Sequence, residues 1–129
     1  MKNITFLSLL VFSMTLQAQT KLLSSTEEYN DGTSWKLISG YNYEYDASAN
    51  LISETQFNYN STTGNWENAY KYMYTYNANN KATLELGQDW NSITSQFEDS
   101  YRTHYNYNGN GDITEIIDQF WENSTWKND

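Results

Sequence analysis

The residues of this chain that could carry acid–base chemistry are the single histidine, His104, and a large set of carboxylates. A histidine that activates a nucleophile needs a serine or cysteine in a recognisable elbow, and no such motif accompanies His104. Arg102 stands two positions before His104, which places both side chains on one side of an extended strand. We therefore interpret His104 as an exposed strand residue.

The carboxylates could in principle form a glycosidase-like pair, which requires two groups about 5–10 Å apart. However, Glu54 and Glu85 are 31 residues apart, and so are Glu67 and Glu98. This regular recurrence is typical of a solvated surface, whereas a catalytic pair usually occurs once. We predict that the chain is not an enzyme and has no catalytic residue.

The segment Asn108–Asp112 is rich in oxygen donors that could contact calcium. A calcium loop of the EF-hand type needs a longer run that ends in a bidentate glutamate. Turn formation explains the same residues. We predict no metal site and no cofactor.

Aromatic residues are the most unusual feature of the chain, which has 12 tyrosines and 5 tryptophans among 129 residues. Their flat rings with a polar edge can stack on sugar rings or on the side chains of a protein partner. Exposed rings would form a glycan-binding or adhesive surface, whereas buried rings would be core, and both interpretations remain open. The candidate binding residues are Tyr59, Trp90 and Trp121.

Several aromatic residues recur with a period of 31, which is the signature of a repeat. The positions that define the repeat are Trp35, Trp66 and Phe97, then Tyr43, Tyr74 and Tyr105, then Tyr45, Tyr76 and Tyr107. The period divides the chain into a half unit at 22–34, units at 35–65, 66–96 and 97–125, and the start of a further unit at 126–129. We expect either a truncated product or the first part of a longer protein with further repeats or a C-terminal domain.

Residue types alternate with period two inside each unit, which predicts β-strands. We expect first strands at Trp35–Tyr45, Trp66–Tyr76 and Phe97–Tyr107, and second strands at 51–60, 82–91 and 113–122. Uninterrupted alternation would place Trp66, Tyr70, Tyr72, Tyr74 and Tyr76 on one aromatic face and leave the other face largely polar. If a sheet of this size hides one face, that face should be the aromatic one.

Hairpin turns join these strands at residues that tolerate positive φ: Asp46, Asn77, Asn108 and Gly111. Ala49 is poorly suited to the position that Asn80 and Gly111 occupy in the other units. The predicted fold class is all-β, an antiparallel up-and-down meander of β-hairpin repeats with about seven strands. The sheet would be open and curled, or part of a β-shell.

The N-terminus has the pattern of a secretory signal peptide, with Lys2, an apolar run from Ile4 to Leu16 and a small residue at Ala18. The run is shorter than the roughly 20 residues of a membrane span, so we predict no transmembrane segment in a mature chain that begins at Gln19. Loss of Lys2 leaves 6 basic residues of the original 7 against 16 acidic residues, a net charge of −10. This charge disfavours nucleic acid as a partner. We expect a secreted or extracellular protein. Attachment to the outer cell surface is one form of this hypothesis, and release into the medium is the other.

The turn segments resemble the YD repeat of the RHS family, whose pattern is Tyr-x-Tyr-Asp-x-x-Gly-x-Leu. The matching segments are Tyr43–Leu51, Tyr74–Ala82 and Tyr105–Ile113. The resemblance implies antiparallel hairpins in an exported bacterial protein, either in a shell around a toxin or in an extracellular contact surface.

The favoured function is therefore a secreted or cell-surface repeat module that binds a polysaccharide or cell-surface glycan through exposed Tyr and Trp. A surface protein is a second partner class. The alternative is a scaffold segment, without binding activity, of a larger RHS-like shell or surface protein.

Overall fold

The computed structural model describes residues 21–129, which form one antiparallel sheet of eight strands in sequential order. The predicted signal peptide, residues 1–18, lies outside the described residues. Within residues 21–129, no helix is long and apolar enough to cross a membrane. The strands are β1 (Ser24–Asn30), β2 (Trp35–Tyr45), β3 (Leu51–Asn60), β4 (Asn65–Tyr76), β5 (Ala82–Asn91), β6 (Gln96–Tyr107), β7 (Ile113–Glu122) and β8 (Thr125–Asn128).

The predicted fold class is confirmed, because every neighbouring pair of strands is antiparallel and consecutive in sequence. The sheet is open and does not close on itself. The structure has one strand more than the seven expected, since Thr125–Asn128 turns back on β7 and forms β8.

Two β-bulges recur along the sheet, and they change which side chains share a face. In the N-terminal half of each first strand, one extra residue interrupts the register with the preceding strand: Ile38 in β2, Ala69 in β4 and Ser100 in β6. A second set lies near the start of the second strands at Ile52, Thr83 and Thr114. A bulge places two residues opposite one, so the alternation of side chains shifts by one position.

The expectation of one aromatic and one polar face is wrong because of the first set of bulges. Opposed residues in an antiparallel pair project to the same side, and Phe57 opposes Asn68 whereas Gln56 opposes Tyr70. Trp66 and Tyr70 therefore project to opposite sides of the sheet, although four positions separate them. Both faces of the sheet are aromatic.

The tyrosines and tryptophans separate between these two faces. The register places all five tryptophans on one side, here called the tryptophan face, together with Tyr59, Phe57 and Phe97. The opposite side, here called the tyrosine face, carries the other eleven of the twelve tyrosines: Tyr29, Tyr41, Tyr43, Tyr45, Tyr70, Tyr72, Tyr74, Tyr76, Tyr101, Tyr105 and Tyr107.

The hairpin turns between first and second strands share one geometry. Asp46 accepts hydrogen bonds from the backbone N–H and the side-chain amide of Asn50, both at 2.8 Å. The residue before the end of each turn has positive φ: Ala49 at 71°, Asn80 at 57° and Gly111 at 85°. The unfavourable position predicted for Ala49 is thus confirmed.

The sheet has no hydrophobic core, since none of the hydrophobic side chains among residues 21–129 is buried. The expectation of a hidden aromatic face is therefore wrong for this chain alone: a single layer leaves both faces open to solvent. Cross-strand contacts replace a core. The hydroxyl groups of Tyr45, Tyr76 and Tyr107 each donate to a backbone carbonyl of a neighbouring strand or of the segment before β1, at 3.0, 2.8 and 2.7 Å.

Candidate functional site

A row of aromatic pairs crosses the tryptophan face next to the loops that lead into the first strands. Tyr59 opposes Trp66, Trp90 opposes Phe97, and Trp121 opposes Trp126. The ring centroids of the three pairs are 5.0, 4.9 and 5.0 Å apart, with interplanar angles of 61°, 65° and 60°. The repetition of one edge-to-face geometry shows that the hairpin register, which is the same in each case, determines these pairs.

Successive pairs are two strands apart, which places them roughly 10 Å from one another across the sheet. Trp35 continues the row towards β1 and is 66% exposed. Trp66 and Trp121 are 41% and 39% exposed, whereas Tyr59 and Trp90 are half-buried. The row therefore offers several partly exposed ring surfaces at regular intervals.

A shallow groove of about 290 Å³ adjoins this row near β1 and β2. Gly40 forms part of its lining with Thr26, Asn42, Phe57 and Trp66. The ring of Trp66 lies over Gly40, and a Cβ at that position would approach the ring to 3.2 Å. The absence of a side chain at Gly40 allows the indole to lie against the sheet.

Polar and cationic side chains lie beside the rings on the same face. The guanidinium of Arg102 lies 4.4 Å from the ring centroid of Trp126, and its Nε donates to Gln119 at 2.7 Å. The amide of Gln119 in turn donates to Asn128 at 2.7 Å, and the amide of Gln88 donates to Asp99 at 2.8 Å. These groups could bind the hydroxyls of a ligand that lies across the rings.

The tyrosine face differs in its chemistry because carboxylates lie among the rings. Tyr101 donates to Glu85 at 2.8 Å, and the Tyr101 ring lies over Gly87, where a Cβ would clash with it. Burial, with smaller contributions from Glu85 and Glu54, raises the pKa of Tyr74 to about 12. Burial also raises the pKa of Glu54 above its ordinary value.

The structure places the sequence-predicted residues in two groups. Tyr59, Trp90 and Trp121 lie on the tryptophan face and belong to one row. The residues assigned to the repeat are divided: Trp35, Trp66 and Phe97 are on the tryptophan face, and the remaining six are on the tyrosine face, namely Tyr43, Tyr45, Tyr74, Tyr76, Tyr105 and Tyr107.

The residues considered for catalysis lie on strands β3 to β6, with His104 on the tryptophan face and the four glutamates on the tyrosine face. His104 is half-buried rather than exposed, because Leu84 and Ile117 oppose it on the two neighbouring strands. Glu54 and Glu85 lie on strands β3 and β5, with β4 between them. No group of three or more potential metal ligands occurs within residues 21–129.

Sequence reasoning did not identify four residues of this site, which are Trp126, Arg102, Trp66 and Phe97. Three of them, Trp66, Phe97 and Trp126, are the ring partners of the predicted residues Tyr59, Trp90 and Trp121. A usable signal was present: Tyr59 and Trp66 are seven residues apart around a predicted loop, as are Trp90 and Phe97. Asn60 pairs with Asn65 and Asn91 pairs with Gln96 on either side of a four-residue loop. The rings one position further from each loop therefore oppose each other on neighbouring strands. Trp121 and Trp126 achieve the same pairing around a two-residue loop.

The chain is similar to a family described as DUF3836, a family of unknown function, whose model matches residues 67–128. A crystal structure of a DUF3836 family protein from Bacteroides vulgatus ATCC 8482 has 26% identity and a TM-score of 0.54, over 68% of this chain and 87% of that chain. No curated protein sequence matches this chain.

Two further solved structures share the fold at lower identity. A protein of unknown function from Bacteroides fragilis NCTC 9343 has 16% identity and a TM-score of 0.72, over 84% of this chain and 81% of that chain. A DUF3836 family protein from Parabacteroides distasonis ATCC 8503 has 16% identity and a TM-score of 0.53, over 81% of this chain and 88% of that chain.

The expected relationship to the RHS family is wrong, since the family model and two of these structures point to DUF3836 instead. The structure explains why the turn segments look alike. A tyrosine whose hydroxyl reaches the neighbouring strand, followed by an Asp or Asn that caps a tight turn, satisfies the hairpin locally. Turn geometry favours Asp or Asn at this position regardless of family.

Proposed function

We propose that this protein is exported and binds polysaccharide through the tryptophan face, without catalysis. The row of aromatic pairs at regular spacing, formed by Tyr59–Trp66, Trp90–Phe97 and Trp121–Trp126, carries this proposal. A regular array of partly exposed rings matches a polymer of regularly repeated rings better than it matches a single small ligand. Binding at each position is weak, and the linked positions together give useful affinity.

The polar groups on the same face support a hydroxyl-rich ligand. The amides of Gln88 and Gln119 and the guanidinium of Arg102 lie between or beside the rings and have fixed orientations. Groups that are held in place lose little conformational entropy on binding. The groove beside Gly40 and Trp66 would hold one ring of the polymer.

A scaffold segment of a surface protein, without binding activity, is the second candidate. The absence of a buried core in residues 21–129 favours this candidate, because a single-layer sheet can bury its aromatic faces against another segment or another protein. In that case the rings of the tryptophan face would serve as an interface and would not bind a glycan.

Affinity electrophoresis of the purified protein through gels with and without a panel of soluble polysaccharides separates the two candidates. We expect retardation by at least one polysaccharide, and loss of retardation in Trp90→Ala and Trp121→Ala. The matched control is Tyr70→Leu, because Tyr70 is 44% exposed on the opposite face. This control should be retarded like the unmodified protein.

Circular dichroism and thermal unfolding of each variant complete the test. Removal of one ring from an edge-to-face pair costs about 0.5–1.5 kcal/mol of pair energy beyond the lost burial, so a folded variant is expected. A folded, unmodified protein that no polysaccharide retards would contradict the proposal and favour the scaffold.

A further inference from the structure

The two faces of the sheet carry very different charge. The register places eight acidic residues on the tyrosine face: Glu27, Glu54, Glu67, Glu85, Asp89, Glu98, Asp118 and Glu122. Of the lysines within strands, Lys36 and Lys127 share that face, and Lys21 and Lys81, which lie outside the strands, pack against its rings. The tryptophan face has four acidic residues and two basic ones: Glu28, Glu44, Asp99 and Glu115, then Lys71 and Arg102.

Both lysines of the tyrosine face already have an acidic partner. Lys36 pairs with Asp31 in the loop before β2, at 3.7 Å, and Lys127 pairs with Glu122. Among residues 21–129, no other salt bridge involves a carboxylate of this face. Seven carboxylates of this face therefore form no salt bridge within residues 21–129.

Neutral hydrogen-bond donors hold most of these carboxylates in place. Glu67 accepts from Asn60 at 2.7 Å and Glu98 accepts from Asn91 at 2.8 Å, which are equivalent bonds one 31-residue step apart. Ser39 donates to Glu27, Tyr101 to Glu85 and Thr103 to Asp118. The face is thus an array of negative charges, most of them held in place, among tyrosine rings.

The chain itself shows how an ammonium group packs against these rings. Lys21 Nζ lies 5.1 Å from the ring centroid of Tyr45, and Lys81 Nζ lies 5.3 Å from that of Tyr107. Tyr76 lies 31 residues after Tyr45 and 31 before Tyr107, so it is the equivalent ring. The position equivalent to Lys81 is Asn50 for this ring, because Asn50 lies 31 residues before Lys81. Cation–π contacts of this kind add to the attraction of the carboxylates.

We propose that the tyrosine face docks a lysine-rich segment of another protein. Repulsion between two such acidic faces disfavours the same face of a second copy, and the charge also disfavours nucleic acid and anionic membranes. A single metal ion does not fit, since the described residues contain no cluster of three or more potential ligands. A polymer with regularly spaced ammonium groups can reach carboxylates that lie on successive strands.

The test measures binding of a fluorescent peptide of alternating lysine and serine at physiological ionic strength, by fluorescence anisotropy. Two double variants change the net charge equally on opposite faces: Glu67→Gln with Glu98→Gln on the tyrosine face, and Glu28→Gln with Glu44→Gln on the tryptophan face. The first should weaken binding by about three- to tenfold, and the second should change it much less. Tyr70→Leu should also weaken binding, and Tyr70→Phe should restore it.

Equal weakening by the two double variants would overturn the proposal, because it would show attraction by net charge alone. Absence of binding at physiological ionic strength by a protein that circular dichroism shows to be folded would also overturn it. So would tighter binding of a chitosan oligosaccharide than of the lysine peptide, which would point to a cationic glycan. The outcome is independent of polysaccharide binding, because Tyr70→Leu affects one face and Trp90→Ala the other.

Discussion

Ala49 is the residue at which local strain is most clearly visible. Its φ of 71° is in the left-handed region, which costs a non-glycine residue roughly 1–2 kcal/mol, whereas glycine adopts it freely. The greater flexibility of glycine in the unfolded chain costs about 0.5–1 kcal/mol. We therefore expect Ala49→Gly to stabilise the protein by about 0.5–1 kcal/mol, as measured by urea denaturation.

The control for this substitution is Ala47→Gly in the same turn, where φ is not positive. Here the substitution gains nothing from relief of strain and should destabilise slightly. A loss of stability in Ala49→Gly that equals the loss in Ala47→Gly would show that the strain at Ala49 has no energetic consequence.

Glu54 should make stability depend on pH in the direction opposite to that of an ordinary paired carboxylate. Burial raises its pKa in the folded state, so the folded state favours the protonated form. The contribution of Glu54 to the free energy of unfolding is fully present below the pKa that it has in the unfolded state. This contribution is lost as the pH rises through the pKa that it has in the folded state. Glu54→Gln, which imitates the protonated form, should raise the thermal midpoint at pH 7, and this gain should disappear below about pH 4.

Glu44→Gln serves as the control at the same charge change, because Glu44 is an exposed residue on the opposite face. A gain in Glu44→Gln equal to that in Glu54→Gln would mean that relief of general charge repulsion, and not burial of Glu54, is responsible.

At the scale of the strand, the bulge residues determine the division of aromatic residues between the faces. Deletion of Ala69 would join Asn68 directly to Tyr70, and because these two residues already oppose the consecutive residues Phe57 and Gln56, the ladder would become regular and Trp66 and Tyr70 would keep their faces. We expect this deletion to cost at most about 1 kcal/mol. Deletion of the paired residue Lys71 is the contrast, because it forces either Tyr70 or the rings beyond it to the wrong side, and it should destabilise the protein by at least about 3 kcal/mol.

Urea denaturation followed by circular dichroism measures both variants. A loss of stability on deletion of Ala69 equal to the loss on deletion of Lys71 would show that Ala69 does more than supply the extra residue of the bulge.

The strands were predictable from sequence, whereas the faces were not. Alternation between turn residues predicted β3, β5 and β7 with their observed bounds, because hairpin loops of Asp, Asn and Gly mark strand ends directly. The bulges at Ile38, Ala69 and Ser100 have no common residue type, so nothing in the sequence signals them. One residue of shift was enough to reverse the side of every ring beyond it.

For the candidate site, the sequence supplied Tyr59, Trp90 and Trp121 but not the arrangement that connects them. Their partners Trp66 and Phe97 were assigned to the repeat, and Trp126 was assigned to the start of a further unit. Only the hairpin register shows that each candidate ring is packed against one of these partners. Pairing depends on loop length, which the chain varies between four and two residues.

At the scale of the whole molecule, stability must come from neighbouring strands, because the single layer has no buried hydrophobic core in residues 21–129. Nearly all contacts between strands join strands that are adjacent in sequence. In such a linear arrangement, stability is close to a sum of nearest-neighbour terms, and different segments open independently. The central strands β4 and β5 have long partners on both sides, whereas β8 has four residues and pairs, among the described strands, with β7 alone.

Native-state hydrogen exchange should therefore show a gradient of amide protection along the sheet. We expect the slowest exchange in the paired amides of β4 and β5, intermediate exchange in β2, β3, β6 and β7, and the fastest exchange in β1 and β8. The gradient should be independent of protein concentration if the sheet is a monomer. Uniform protection from β1 to β8 would contradict independent opening, and protection that rises with concentration would show that a second molecule covers one of the two aromatic faces.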